Sequence, residues 1–188
     1  MSKFEIIKTP LAGLYIIEPR VFEDERGYFM EAYNYRDFKL EGLPTAFVQD
    51  NQSKSKKGVL RGLHFQKQYP QGKLVRVLRG EVFDVALDLR KNSNTFGQWF
   101  GCILSSQNKK QLYLPEGFAH GFLVLSKEAE FFYKCTEYYH PEDQWGILWN
   151  DKDLNIHWPL ERISEIFLSE QDKGWMPFGE YKIRNDRS

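Results

Sequence analysis

Only two cysteines occur in the 188 residues, Cys102 and Cys135, and no Cys-x-x-Cys spacing joins them. That argues against a disulfide framework and against a zinc knot, and leaves the thiols as reduced, packed side chains of a cytoplasmic protein. Long apolar runs are missing as well. The longest near the start, Leu11–Ile17, is broken by Gly13 and falls far short of the roughly 20 residues a membrane-spanning helix requires. Neither a basic leader nor a small-residue cleavage site accompanies it. An excess of either charge is also lacking: 26 Lys+Arg stand against 26 Asp+Glu, for a formal net charge of +0. Such a balance provides no surface-wide field for gripping nucleic acid or an anionic membrane. No Gly-rich phosphate loop, Ser/His/Asp pattern or Gly-x-Ser-x-Gly elbow is present. Any phosphate contact therefore falls to cations, for which Arg26, Arg61 and Lys73 are suitable.

What the chain does contain is strand-forming sequence. Hydrophobic residues at 41% exclude disorder, and aromatics at 16% favour β-structure or sites that stack on flat ligands. Between Lys73 and Asp88, Gly80 divides two strands, and Val85, Leu87 and Leu89 alternate with Asp84, Ala86 and Asp88. Further β-rich runs cover 14–18, 28–33, 47–49, 59–66, 99–104, 111–114, 122–125 and 130–139. Turn signals fall between them, including Asp24–Gly27, Ser53–Gly58 and Pro115-Glu116-Gly117. Helical signal is confined to 35–41 and a short piece after Pro159. The pattern predicts one all-β domain over residues 1–188, an antiparallel sandwich or barrel with a few short helices at its periphery.

Three stretches concentrate polar groups within strand-like sequence. The first joins Gln49-Asp50-Asn51 to Arg61-Gly62-Leu63-His64-Phe65-Gln66. Strict alternation there puts Leu60, Gly62, His64 and Gln66 on one face and Val59, Arg61, Leu63 and Phe65 on the other. Taken alone, His64 reads as an ordinary packed or exposed histidine and Arg61 as a surface cation. The second is Pro115-Glu116-Gly117-Phe118-Ala119-His120-Gly121, a turn delivering a histidine into a strand, which resembles the second signature of cupin barrels. Metal-binding cupins need a further histidine two places after His64, where Gln66 stands, so a metal site lacks its expected ligands. The third is Tyr133-Lys134-Cys135, either a core-lining aromatic strand or a phenol facing a ligand cavity.

Taken together, Gln49-Asp50-Asn51, Gly58–Gln66, Gly72–Val77, Pro115–Phe122, Tyr133-Lys134-Cys135, Trp149-Asn150-Asp151 and Ile156–Pro159 resemble the dTDP-4-dehydrorhamnose 3,5-epimerase family. The resemblance extends from about Leu14 to Asp172. It implies a cupin-type jelly roll and a cofactor-independent, metal-free epimerase acting beside the ketone of a dTDP-4-keto-6-deoxy-hexose. It also implies roles: His64 as general base, Asp172 as the carboxylate orienting it, Tyr133 as the acid on the opposite face, and Lys73 as the cation at the developing enolate. Arg61 and His120 match substrate-contacting positions, with Asp84 paired to His120. Gln49, Asp50 and Asn51 match further nucleotide–sugar contacts, and Tyr139 is a candidate for stacking on thymine. Arg26, Phe29 and Glu31 match a strand that crosses to a partner subunit, which implies a homodimer. Two positions depart from the pattern, Gln171 where many relatives carry lysine and Gln144 where an acidic residue is expected, and both are placed at the substrate's edge. The competing readings are a single-centre epimerase, a non-catalytic sugar-nucleotide-binding cupin and a metal-dependent cupin oxygenase.

Overall fold

The computed structural model describes residues 3–186, whose backbone is dominated by antiparallel strands in two sheets. The six-stranded sheet runs in the order β1 (Phe4–Lys8), β2 (Tyr15–Pro19), β10 (Gln111–Leu114), β7 (Lys73–Arg79), β12 (Glu128–Cys135) and β5 (Gln49–Lys56). The five-stranded sheet runs β13 (Gln144–Gly146), β6 (Leu60–Gln66), β11 (Phe118–Val124), β8 (Glu81–Asp88) and β9 (Trp99–Ser105). A separate hairpin pairs β3 (Val21–Asp24) with β4 (Gly27–Met30). The sheets face one another without closing into a barrel, which is the expected cupin-type jelly-roll sandwich.

Alternation along each strand decides what lies between the sheets. On β7, Val75 and Val77 point inward, as do Phe131 on β12 and Leu112 and Leu114 on β10. Val82 and Ala86 on β8, Leu104 on β9, and Phe122 and Val124 on β11 meet them from the opposite sheet. The same register carries polar residues into that interior. Lys73 shares the inward side of β7 with Val75, Tyr133 that of β12 with Phe131, and Asp84 that of β8 with Val82. One part of the sandwich is thus dry core and the remainder is a polar cavity.

The outer face of the five-stranded sheet is covered as well. Leu60, Leu63, Val85, Leu87 and Leu123 pack beneath Ile147, Trp158, Phe178 and Tyr181 of the C-terminal segment. That segment carries α2 (Glu170–Lys173) and α3 (Phe178–Asp186), neither anticipated from the sequence. The expected helix at 35–41 is α1 (Tyr35–Leu40), capped by the Asn34 side chain and anchored by Phe38 edge-on to Phe4. A helical turn at Leu160–Arg162 is the piece expected after Pro159.

Two local expectations are corrected. A turn is expected over residues 53–58, but β5 runs unbroken from Gln49 to Lys56, paired along its whole length with β12, and the chain turns only at 57–58. Its sequence, Gln-Asp-Asn-Gln-Ser-Lys-Ser-Lys, has no apolar alternation because its inward side chains line a cavity rather than the core. On β6 the strict alternation also fails. His64 pairs with His120 while Arg61 pairs with Phe122, so two residues of β6 face Gly121 alone, a β-bulge. The bulge returns Arg61 and His64 to the same inward side, with Leu60, Leu63 and Phe65 outside. Glycine is required on both strands there. A Cβ on Gly62, whose φ is +120°, would meet Gly121 Cα at 2.6 Å, and one on Gly121 would meet the Arg61 carbonyl at 2.7 Å.

Candidate active site

The polar end of the sandwich is a cavity of about 330 Å³ whose wall includes Gln49, Asn51, His64, Lys73, Tyr133 and Tyr139. A deeper recess of about 150 Å³ shares His64, Lys73 and Tyr133 with it and adds Arg61 and His120. His64 comes from the five-stranded sheet, whereas Tyr133 and Lys73 come from neighbouring strands of the six-stranded sheet. A ligand in the cavity therefore meets the imidazole from one side and the phenol and ammonium from the other.

His64 is fixed by Asp172. The imidazole Nε2 lies 2.5 Å from Asp172 Oδ1, and the carboxylate is 3% exposed. Burial would raise this carboxyl, but the His64 bond and charge, the Ser169 hydroxyl and the Gly62 N–H together hold it below the ordinary carboxylate range. Ser169 serves twice, as its Oγ donates to Asp172 Oδ2 at 2.8 Å and accepts from the Asp172 N–H at 3.0 Å as the N-cap of α2. An ionised Asp172 accepts from Nε2–H of a neutral imidazole, which leaves Nδ1 with a lone pair and fixes the basic tautomer.

Tyr133 and Lys73 have complementary proton affinities. Burial pushes the Tyr133 phenol up to about 12, so it stays protonated and able to donate at neutral pH. Burial lowers the Lys73 ammonium from the usual lysine range, with nearby Cys135 and Asp84 pulling the other way. Beside them a second pair is sealed in the sandwich. His120 Nε2 lies 2.9 and 3.0 Å from the two carboxylate oxygens of Asp84, the histidine 8% and the aspartate 0% exposed. Among the described residues, no three His, Cys, Asp or Glu side chains are gathered as a metal ion would require.

Comparison with known proteins decides the family. Residues 8–180 match the model described as dTDP-4-dehydrorhamnose 3,5-epimerase. The chain belongs to this family. It is 58% identical over 183 residues to the dTDP-4-dehydrorhamnose 3,5-epimerase of Methanothermobacter thermautotrophicus, covering 97% of this chain and 99% of the relative. The solved enzyme of that name from Elizabethkingia anophelis is 53% identical with a TM-score of 0.88, covering 95% and 98% of the two chains. A dTDP-6-deoxy-D-glucose-3,5-epimerase from Legionella pneumophila, solved with dTDP-4-keto-L-rhamnose, is 52% identical with a TM-score of 0.89 over 94% and 93%.

Most family positions singled out in the sequence converge in the fold. Gln49 and Asn51 line the cavity and are joined by a 3.0 Å hydrogen bond, while Gln49 Oε1 also accepts from the Tyr139 N–H at 2.9 Å. Tyr139 donates its phenol to Gln144 Oε1, so these two form one rim of the opening. Arg61 donates to Ser55 Oγ from Nε and Nη2 at 3.2 and 3.1 Å.

Others lie elsewhere. Asp50 points to the opposite side of β5, where it accepts from Lys134 Nζ at 2.8 Å and is not part of the cavity wall. Gln171 is exposed on α2 and also lies outside that wall. Arg26, Phe29 and Glu31 belong to the β3–β4 hairpin and the segment after it, away from the cavity of their own chain. There Arg26 pairs with Asp24 at 2.5 Å, Glu31 pairs with Lys3, and Phe29 is 66% exposed. The structure also adds residues that sequence reasoning missed. Gln66, at the place of a cupin's metal histidine, donates to the Tyr69 and Tyr138 carbonyls and accepts from the His140 N–H, tying together two loops at the rim. Ser169 was discoverable, because Ser three places before Asp172 is the spacing of an N-cap.

Proposed function

We propose that this chain is a cofactor-independent epimerase. It converts dTDP-4-dehydro-6-deoxy-D-glucose to dTDP-4-dehydro-L-rhamnose by inverting carbons 3 and 5. The observation that carries this reading is the placement of His64 and Tyr133 on opposite sheets of one cavity. Inversion beside a ketone requires a base on one face of the ring and an acid on the other.

Hydrogens next to the ketone are acidic because the electron pair left by C–H cleavage delocalises onto the carbonyl oxygen. His64 Nδ1 takes the proton, and Asp172 stabilises the imidazolium that results. The negative charge develops on the ketone oxygen, where the Lys73 ammonium is the available cation. Tyr133 then delivers its phenolic proton to the opposite face of the same carbon, and the enolate electrons re-form the ketone. Proton exchange with solvent returns His64 to neutral and Tyr133 to its protonated form. No electrons leave the substrate, so the cycle requires no redox partner.

The remaining assignments follow from this reading. Arg61 and His120 contact the substrate from the recess, with Asp84 orienting His120. Gln49, Asn51 and Gln144 contact the sugar and diphosphate, and Tyr139 stacks on thymine. The exposed hairpin with Arg26, Phe29 and Glu31 reaches the cavity of a second copy, giving a homodimer of single-domain subunits. The enzyme works in the cytoplasm, in keeping with two free cysteines and the absence, among the described residues, of a helix long and apolar enough to cross a membrane.

Proton NMR with dTDP-4-keto-6-deoxy-glucose in heavy water tests the reaction. Loss of both the carbon 3 and carbon 5 signals, with appearance of the rhamnose-configured ketone, is expected. Exchange at one carbon would replace the double epimerase by a single-centre enzyme. Binding without exchange would make the chain a non-catalytic sugar-nucleotide binder.

A further inference from the structure

His64 faces Gly146 across the β6–β13 pairing. Gly146 has no unusual backbone angle, so glycine is demanded there by space alone. A Cβ at this position would lie 2.3 Å from Cδ2, 2.4 Å from Cε2 and 2.6 Å from Cγ of Trp175. The indole thus fills the room left by the missing side chain. Its ring stands edge-on to His64, with centroids 5.8 Å apart and planes at 70°. Its Nε1–H donates to Asp172 Oδ1 at 3.3 Å, the oxygen that also holds His64. The neighbouring backbone is pinned by the Leu148 N–H donating to the Met176 carbonyl at 3.0 Å.

One hydrogen bond fixes a nitrogen but not a ring plane. An imidazole held only through Nε2 can still swing about that contact, and proton abstraction depends on where Nδ1 points. An aromatic edge against the ring supplies the second constraint. We propose that Trp175, seated in the space left by Gly146, is a positioning residue that braces the His64 ring and holds Nδ1 toward the cavity. This rests on the reading of His64 as the base.

The test measures the rate of deuterium wash-in from heavy water into dTDP-4-keto-6-deoxy-glucose, alongside the Kd for dTDP. Trp175→Ala and Gly146→Ala are each expected to slow wash-in by about 10- to 100-fold, as a misplaced reacting group does. Affinity for dTDP is expected to stay within about twofold, because binding energy comes from other walls of the cavity. Trp175→Phe keeps an aromatic ring beside His64 while losing the N–H and part of the indole's width, so its wash-in is expected to stay within about fivefold of wild type. In a Trp175→Ala background, Gly146→Ala is expected to add nothing, since its methyl group then enters vacated space.

Wild-type wash-in in Gly146→Ala or Trp175→Ala would overturn the proposal, as would fully additive losses in the double variant. A loss in Trp175→Phe equal to that in Trp175→Ala would also overturn it, because an aromatic edge against His64 would then not be what sustains the rate. Absence of wash-in in the unaltered enzyme would overturn the base assignment, and the brace with it.

Discussion

His64 and His120 lie directly opposite one another on β6 and β11, and each has its Nε2 against a carboxylate that is buried. The two pairs differ in their exposure and in how the carboxylate engages the ring. The His120 side chain is 9% exposed and Asp84 engages it with both oxygens, whereas the His64 side chain is 29% exposed and bound through one oxygen. His64 can therefore reach a ligand and exchange a proton, while His120 is held rigidly behind it.

From this geometry, Asp172→Asn is expected to abolish most activity without emptying the cavity. The amide keeps its carbonyl toward His64 Nε2–H, where the Gly62 and Trp175 N–H groups also donate, but it carries no charge to stabilise the imidazolium that forms. The loss in kcat is expected to be roughly 10²- to 10³-fold, as for removal of one preorganised group that stabilises transition-state charge. Titration with dTDP by calorimetry checks the second half: affinity close to wild type is the expected outcome.

The alkaline limb of the kcat profile is expected to belong to Lys73. Its ammonium titrates below the ordinary 10.5 because of burial, whereas Tyr133, pushed up to about 12, still holds its proton there. The proposed role of Lys73 requires its charged form, so on this limb the rate falls as pH rises through the depressed value. Lys73→Arg replaces it with a cation that does not titrate in this range. The variant is expected to be slower overall, with the limb displaced upward. An unmoved limb would remove Lys73 from the mechanism.

The strands that alternate cleanly were readable because the outward and inward demands on them are simple. β7, β8 and the aromatic part of β12 fall where periodicity puts them, and Lys73, Asp84 and Tyr133 follow from the same registers. β5 was not readable, since a strand facing a polar cavity on one side and solvent on the other has no apolar face to detect. The bulge at Gly62 was hidden for a different reason. It depends on Gly121, 59 positions further along the chain, and only the pairing of β6 with β11 brings those two together. Trp175 was silent on the same ground, because its partner Gly146 lies on another element. The family resemblance supplied Asp172, which no local pattern marks as a partner of His64.

Strand exchange makes a prediction that a single chain cannot satisfy. Arg26→Ala and His64→Ala variants are each expected to be nearly inactive. If the hairpin serves the partner's cavity, a mixed dimer contains one site with both defects and one with neither. Equimolar refolded mixtures are then expected to recover about a quarter of wild-type activity. Recovery confined to background would mean that Arg26 acts, if at all, within its own subunit. Light scattering on the unmixed protein is expected to show twice the chain mass.

Acid stability is expected to depend on a residue outside the cavity. Asp88 is 0% exposed and accepts from Arg90 Nε at 2.9 Å, Ser93 Oγ at 2.6 Å and Thr95 Oγ1 at 2.7 Å, binding the loop after β8 to its strand. Burial opposes its charge, but these donors together lower the carboxyl from 3.8 to about 2. A carboxyl depressed on folding contributes stability above its unfolded value and loses it as pH falls through the folded one. The shift corresponds to about 2 kcal/mol at neutral pH. Asp88→Asn is therefore expected to lower the urea midpoint clearly at pH 7. The gap between variant and wild type should narrow below about pH 4, as protonation removes the same charge from the wild-type protein. An equal gap at pH 7 and pH 2.5 would show that the loop is held by hydrogen-bond geometry alone and not by the charge on Asp88.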